Sequence, residues 1–197
     1  MFGLARGLVS IWLKLFFKVS VVGVNNLPTQ GGAILCANHA SSMDLVLLGV
    51  NIKRKIKWIA KVELFKNPFI ARILTGLGAF PVKRGKGDVT AVKTIYNLLS
   101  EGEIVGIFPE GKRVRDIKDR PDVKRGFVSF AFKSKAPIVP ASIVYGWGPL
   151  KKSKLFSRIR VIFHEPVVLD FSREYANEEM ESIGKEIMGT IYSEMDI

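Results

Sequence analysis

The amino-acid sequence predicts an α/β domain, a mixed and largely parallel sheet covered by helices, preceded by one amphipathic helix. Three observations carry that prediction. From Val19 onward, short β-branched runs alternate with amphipathic stretches, the pattern of strands joined through helical crossovers. With 197 residues, 48% of them hydrophobic, the chain can bury one domain core and is too short for two ordinary domains. Residues 1–18, wound as a helix, separate into polar and apolar arcs.

In that first segment, at about 100° per residue, Gly3, Arg6, Gly7, Ser10, Lys14 and Lys18 fall in one arc of roughly 120°. Phe2, Leu4, Leu8, Val9, Ile11, Trp12, Leu15 and Phe16 fill the rest. A wide apolar face with a narrow basic ridge suits a helix lying in the headgroup region of a membrane. Phe2, Leu8, Trp12 and Phe16 would sit among acyl chains, with Lys14 and Lys18 directed at lipid phosphates. The competing reading is a first helix packed on the core. Arg6, Lys14 and Lys18 interrupt the apolar run, which falls short of the roughly 18 to 20 uncharged residues of a spanning helix. No convincing signal-peptide cleavage site follows. Residues 1–18 are read as an interfacial membrane-binding helix, and 19–197 as the globular domain.

Within that domain the β-branched runs predict strands at Val19 to Val24, Ala33 to Ala37, Lys57 to Lys61, Ala79 to Val82, Ile104 to Phe108, Ile138 to Tyr145, Arg158 to Phe163 and Val167 to Leu169. Amphipathic stretches predict helices at Ser42 to Val50, Pro68 to Gly76, Val89 to Ser100, Gly126 to Ser134 and Asn177 to Glu194. Serines precede the first of these, and Asn177 opens the last. The polar stretch from Pro109 to Lys124 follows directly on an apolar strand, where loops of α/β proteins carry function.

A formal net charge of +12 calls for an anionic partner: nucleic acid, anionic lipid or a phosphorylated substrate. No recognition helix, zinc finger or aromatic RNA-binding signature is present, and an apolar first helix is of no use on nucleic acid. Lipid and phosphate remain. Basic clusters at Lys53, Arg54, Lys55 and Lys57, and at Lys151, Lys152, Lys154, Arg158 and Arg160, are either solvated faces or added attraction to an anionic bilayer. A single cysteine, Cys36, excludes an internal disulfide and any cysteine-rich zinc site; with only His39 and His164 beside it, no metal is expected. Cys36 in an apolar strand reads as a buried, inert thiol. His164 reads as structural.

Four short blocks carry chemistry. In Asn38-His39-Ala40-Ser41-Ser42-Met43-Asp44, histidine follows a strand and an aspartate stands five residues on. A carboxylate bonded to one imidazole nitrogen fixes the tautomer and leaves the other to take a proton from a hydroxyl. On one helix, positions five apart diverge by about 140°, so His39 must sit in the turn before the helix. A turn histidine with a capping aspartate is the plainer alternative. Phe108-Pro109-Glu110-Gly111-Lys112-Arg113 ends an apolar strand with an acid and two bases. Glu110 suits a glycerol hydroxyl, and the fork of Arg113 suits a phosphate. Pro-Glu-Gly is also ordinary turn chemistry. Gly78 to Gly85 delivers Lys83 and Arg84 into a turn; Arg84 is either a second phosphate ligand or a solvated cation. Pro140, inside the strand Ile138 to Tyr145, marks that strand as an edge or a bulge that shapes an acyl pocket.

These blocks, in this order, resemble the glycerolipid acyltransferase family typified by bacterial 1-acylglycerol-3-phosphate acyltransferases. The likeness spans Asn38 to Ile143. The family's Asn-His-x-Ser-x-x-Asp block is matched at Asn38, His39, Ser41 and Asp44. Its Phe-Pro-Glu-Gly-(Ser/Thr)-Arg block is matched at Phe108, Pro109, Glu110, Gly111 and Arg113, with Lys112 standing where a hydroxyl residue is usual. Phe80 and Arg84 fall on the second block, Pro140 on the fourth, and Lys61 on a further family stretch. There is no Gly-x-Ser-x-Gly elbow, which speaks against an acyl-enzyme.

The resemblance implies the glycerolipid acyltransferase fold and direct acyl transfer from a thioester to the free sn-2 hydroxyl of lysophosphatidic acid, giving phosphatidic acid. His39 would act as base and Asp44 would hold it, while Arg84, Glu110, Gly111, Arg113 and Lys61 would bind the acceptor. Backbone N–H groups at the start of the next helix are expected to meet the oxyanion. No cofactor is implied; acyl-coenzyme A or acyl-acyl carrier protein is the co-substrate. The expected setting is the cytoplasmic face of the cell membrane, with the protein peripheral or monotopic. The rival functions are acylation of glycerol 3-phosphate or another lysophospholipid, and non-catalytic lipid binding.

Overall fold

The computed structural model describes residues 2–82, 89–114, 119–123, 125–146 and 158–195. In the first helix the side chains at positions 2–6, 8 and 14 lie outside that description. So do Lys83, Arg84, Gly85, Lys151, Lys152 and Lys154.

A seven-stranded sheet organises the molecule. Its strands are β1 (Lys18–Val22), β2 (Ala33–Ala37), β3 (Ile56–Lys61), β4 (Ala79–Val82), β5 (Ile104–Ile107), β6 (Ile138–Tyr145) and β7 (Arg158–Phe163). They lie in the order β1-β7-β6-β2-β5-β3-β4, every neighbouring pair parallel except β6 with β7. The helices are α1 (Phe2–Phe16), α2 (Asp44–Asn51), α3 (Pro68–Gly76), α4 (Val89–Ser100), α5 (Gly126–Ser134) and α6 (Asn177–Ser193), with 3-10 turns at Val24–Asn26 and Val62–Lys66.

Alternation along β2 shows why both faces of the sheet are covered. Ala33, Leu35 and Ala37 enter one core with Leu47, Leu48, Ile56 and Trp58, while Ile34 and Cys36 enter the other with Phe127, Ile138, Ile187 and Ile191. A strand buried on both faces must be apolar throughout, and all five residues of β2 are buried.

Most predicted boundaries hold within two residues. Val167 to Leu169 does not form a strand; it contributes one bridge, Val167 with Ile138. Pro140 is not on an edge, since β6 lies between β2 and β7. It stands at a bulge. Ala141 pairs with Phe163, whereas Ile138 pairs with Val167, so one extra residue is accommodated opposite Pro140. There the Pro140 carbonyl accepts from His164 N at 2.9 Å, and a missing N–H costs little. The opening of α6 falls to Ala176, whose N–H donates to Glu179 at 2.9 Å, while the Asn177 side chain accepts from Arg125.

The first helix divides its apolar arc between two fates. Leu13 is buried in the sheet's core, with Val9 and Phe16 packed against it, whereas Ile11, Trp12 and Leu15 face outward. Among the described residues, no helix is long and apolar enough to cross a membrane.

Candidate active site

Because β5 and β6 flank β2, the turns that follow β2 and β5 and the last residue of β6 meet at one edge of the sheet. That edge is the carboxyl end of the parallel strands, where α/β folds build sites. His39 leaves β2 in an irregular turn, and α2 begins at Asp44, as the five-residue spacing demanded. His39 Nδ1 lies 2.9 Å from Asp44 Oδ2. The same oxygen accepts from the amides of Ala40 and Ser41, each at 2.7 Å. Asp44 Oδ1 accepts from the Tyr145 hydroxyl at the end of β6. Asp44 is wholly buried, and each of these partners can point a donor at it, the pattern an ionised carboxylate takes. The imidazole proton then belongs on Nδ1, leaving Nε2 as the acceptor.

The backbone amides after His39 were expected to meet an oxyanion, and most are already engaged. Ala40 and Ser41 donate to Asp44, Met43 donates to Ser41 Oγ at 3.2 Å, and Asp44 donates to the Ser41 carbonyl. Two of them hold the aspartate and two close the turn onto Ser41.

The second turn locks onto the first. Gly111 N donates to the Phe108 carbonyl at 3.0 Å, closing Phe108 to Gly111, and Gly111 takes φ of 66°, a conformation that disfavours a side chain although space for one exists. Glu110, 7% exposed, receives the backbone N–H of His39 on Oε2 at 2.6 Å and the Tyr192 hydroxyl from α6 on Oε1 at 2.7 Å. Val114 N donates to the His39 carbonyl at 2.8 Å. Burial raises the Glu110 carboxyl from its ordinary 4.5 to about 7, against the opposing pull of the Tyr192 and His39 hydrogen bonds; Asp44 adds to the rise and Arg120 reduces it. Arg120 lies 3.8 Å above the Tyr192 ring.

Phe108 contributes a wall. Its ring stacks on His39 at 4.1 Å and 17°, and Trp58 stacks behind it at 5.1 Å and 7°. Gly106 makes room for that indole, since a Cβ there would lie 2.4 Å from Trp58 ring carbons. Trp58 also lines an apolar cavity of about 700 Å³ walled by residues of α1, α2, β3 and α3. Trp58 is thus shared by the cavity wall and the ring stack on His39. Its lining does not include Pro140, so Pro140 does not shape this cavity.

The remaining predicted residues separate into those at the edge and those behind it. Arg113 is exposed and donates to Ser42 Oγ at 2.9 Å, bridging the two turns. Lys61 is exposed at the carboxyl end of β3, on the same sheet edge. Asn38 lies behind: its amide pairs with the Ile143 backbone at 3.1 and 2.8 Å, fixing β2 to β6. Phe80 packs into the opposite core, and Pro109 is buried. Cys36 is buried, and burial and the nearby Glu110 charge push its thiol well up, as befits an inert position. His164 bonds Ser142 at 2.7 Å. Tyr145, Tyr192 and the stacking role of Phe108 escaped sequence reasoning. The only available signal was that a buried tyrosine hydroxyl needs a partner.

An imidazole held by a buried carboxylate, an exposed arginine on the adjoining turn and an apolar cavity make an arrangement suited to acyl transfer. The chain belongs to the acyltransferase family, whose model matches residues 18–144. It is 38% identical to the 1-acyl-sn-glycerol-3-phosphate acyltransferase of Bacillus subtilis over 85% of this chain and 82% of that one. It is 29% identical to the chloroplastic 1-acyl-sn-glycerol-3-phosphate acyltransferase LPAT1 of Arabidopsis thaliana, over 83% of this chain and 48% of that longer protein. The crystal structure of the 1-acyl-sn-glycerophosphate (LPA) acyltransferase of Thermotoga maritima superposes with a TM-score of 0.73 at 25% identity, covering 99% of this chain and 78% of that one.

Proposed function

We propose that this protein is a 1-acyl-sn-glycerol-3-phosphate O-acyltransferase that works at a membrane surface. The observation that carries the reading is the His39–Asp44 pair, 2.9 Å apart, with Nε2 left to accept a proton. In the proposed step, Nε2 takes the proton of the sn-2 hydroxyl of lysophosphatidic acid as its oxygen attacks the thioester carbonyl. The C–S bond of the tetrahedral intermediate then breaks, and the thiolate leaves with the proton held by His39. The products are phosphatidic acid and the free thiol of coenzyme A or acyl carrier protein. No resident cofactor takes part.

Arg113 and Lys61, on the same sheet edge, would hold the acceptor phosphate, and the resemblance assigns Arg84 to the same task. Glu110 and Gly111 form the turn that seats His39, and a second lone pair on each Glu110 oxygen remains for an acceptor hydroxyl. The 700 Å³ apolar cavity falls in the size range of ligand sites, about 300–1,000 Å³, and would take an acyl chain. The outward residues of α1, Ile11, Trp12 and Leu15, would rest in the headgroup region of the cytoplasmic leaflet. The positive charge is then assigned to lipid and phosphate, not to nucleic acid.

The test is a vesicle assay offering lysophosphatidic acid, glycerol 3-phosphate and other lysophospholipids with each thioester carrier. Wild type should consume thioester fastest with lysophosphatidic acid, and His39→Ala should lower transfer by about 10²-fold or more while still binding vesicles. Thioester consumption by the alanine variant at near-normal rate would overturn the mechanism; a preference for another acceptor would overturn the substrate.

A further inference from the structure

Helix α3 presents a second apolar face that is exposed among the described residues. Phe69, Ile70, Ile73 and Leu77 are 73%, 41%, 48% and 38% exposed. At about 100° per residue they fall within one arc of roughly 100°, so they form a stripe and not scattered contacts. A contiguous apolar stripe of this kind marks an interaction surface.

Its position relates it to α1. Both helices line the same cavity, α1 through Val9 and Trp12 and α3 through Ile73, with Leu77 just after it, so the two helices wall one cavity together. Ile11 and Leu15 on α1 are 58% and 65% exposed. Charge selects the partner. Residues 1–100 hold fourteen of the Lys and Arg residues and three acids, so this half accounts for +11 of the formal net charge of +12. One of those acids, Asp44, is buried. Lys66 and Arg72 are exposed beside the stripe, and α3 itself holds no acidic residue in its first turn. Apolar residues in a basic surround match an anionic phospholipid leaflet and repel a basic or strictly polar protein partner.

We propose that α3 is a second leaflet-inserting element, so that the protein rests on an anionic bilayer by α1 and α3 together, with the cavity mouth between them opening into the lipid. This rests on reading the chain as an enzyme of the membrane surface. It adds that Phe69 and Ile70, which do not line the cavity, are there for the bilayer.

The experiment uses the full chain and vesicles of phosphatidylcholine with phosphatidylglycerol. Flotation compares wild type, Ile11→Glu/Leu15→Glu on α1 and Phe69→Glu/Ile70→Glu on α3. Thermal melts and turnover of a monomeric short-chain lysolipid serve as controls for folding and for the site. The α3 variant should lose at least about tenfold in vesicle affinity, given the apolar surface it withholds from lipid, with melting and short-chain turnover near wild type. As a second reading, Phe69→Cys carrying an environment-sensitive dye should shift to the blue on vesicles, while the same dye at Glu178→Cys on α6 should not; native Cys36 is buried.

Wild-type binding that the α1 variant weakens and the α3 variant leaves intact, with a silent dye at position 69, overturns the α3 proposal alone. No binding by wild type overturns the membrane reading itself. Binding that persists on pure phosphatidylcholine at high salt overturns the requirement for anionic lipid.

Discussion

The turns after β2 and after β5 each bury a carboxylate, and they enclose it differently. Asp44 has partners on both oxygens, three of them from its own turn and one from Tyr145. Glu110 has two recorded donors, both supplied from outside its turn, by His39 and by Tyr192. The first turn supplies most of its own partners and holds a side chain, the imidazole. The second depends on a distant helix and holds a backbone, the His39 amide. Glu110 rises to about 7 because two donors do not offset its burial. The difference teaches that the side-chain dyad is set mostly by its own turn, whereas its seat rests on contacts from distant parts of the chain.

The largest expected effect breaks the first turn's purpose. His39→Ala should lower kcat by about 10²–10⁴-fold, the usual worth of a positioned base, measured as thiol release with lysophosphatidic acid. Asp44→Asn should follow at about 10²-fold or more, because an amide facing Nδ1 favours the wrong tautomer. Equal turnover of Asp44→Asn and wild type would leave Asp44 a cap and nothing more.

Glu110 sharpens the comparison through pH. With the folded carboxyl near 7 and the ordinary value at 4.5, the folded state binds more protons than the unfolded one between those values. Its contribution to stability is therefore full below about 4.5 and is lost as pH rises through 7, on the order of 3 kcal/mol in all. Denaturant melts should show that loss in wild type and not in Glu110→Gln. Activity runs the other way, since an ionised Glu110 accepts from both donors, and the acid limb of kcat/KM should fall near pH 7.

Tyr192→Phe tests the long-range half of the seat. Without its hydroxyl, Glu110 loses a bond that favours its ionised form, so the acid limb should move to higher pH while the rate at alkaline pH recovers. An unmoved limb would make Tyr192 a packing residue. The smallest effect should come from Tyr145→Phe, which leaves Asp44 its three other partners. It should cost about 1–3 kcal/mol of stability, the penalty for a buried group losing its partner, with a modest fall in kcat.

Much of this was legible in the chain. The strand Ala33–Ala37 and the helices Pro68–Gly76 and Val89–Ser100 fall where hydrophobic period and turn residues put them, because local pattern reports which face is buried. The requirement that His39 precede its helix followed from helical geometry alone, and the turn obeys it. Pro140 was half legible: proline announces a lost ladder bond, and only the pairing of β6 with β7 and with Val167 selects a bulge over an edge.

What the sequence determined by itself was the succession of elements, the basic balance and the four blocks, all properties of neighbours along the chain. The tertiary structure decided what those blocks touch. Strand order puts β5 and β6 on either side of β2, bringing Glu110, 71 residues away, onto the His39 amide and Tyr145, 101 residues away, onto Asp44. It also brings Tyr192 across 82 residues to Glu110. No local period encodes such contacts, because a hydrogen bond between strand ends depends on which strands are adjacent, and adjacency is settled only when both faces of the sheet are buried at once.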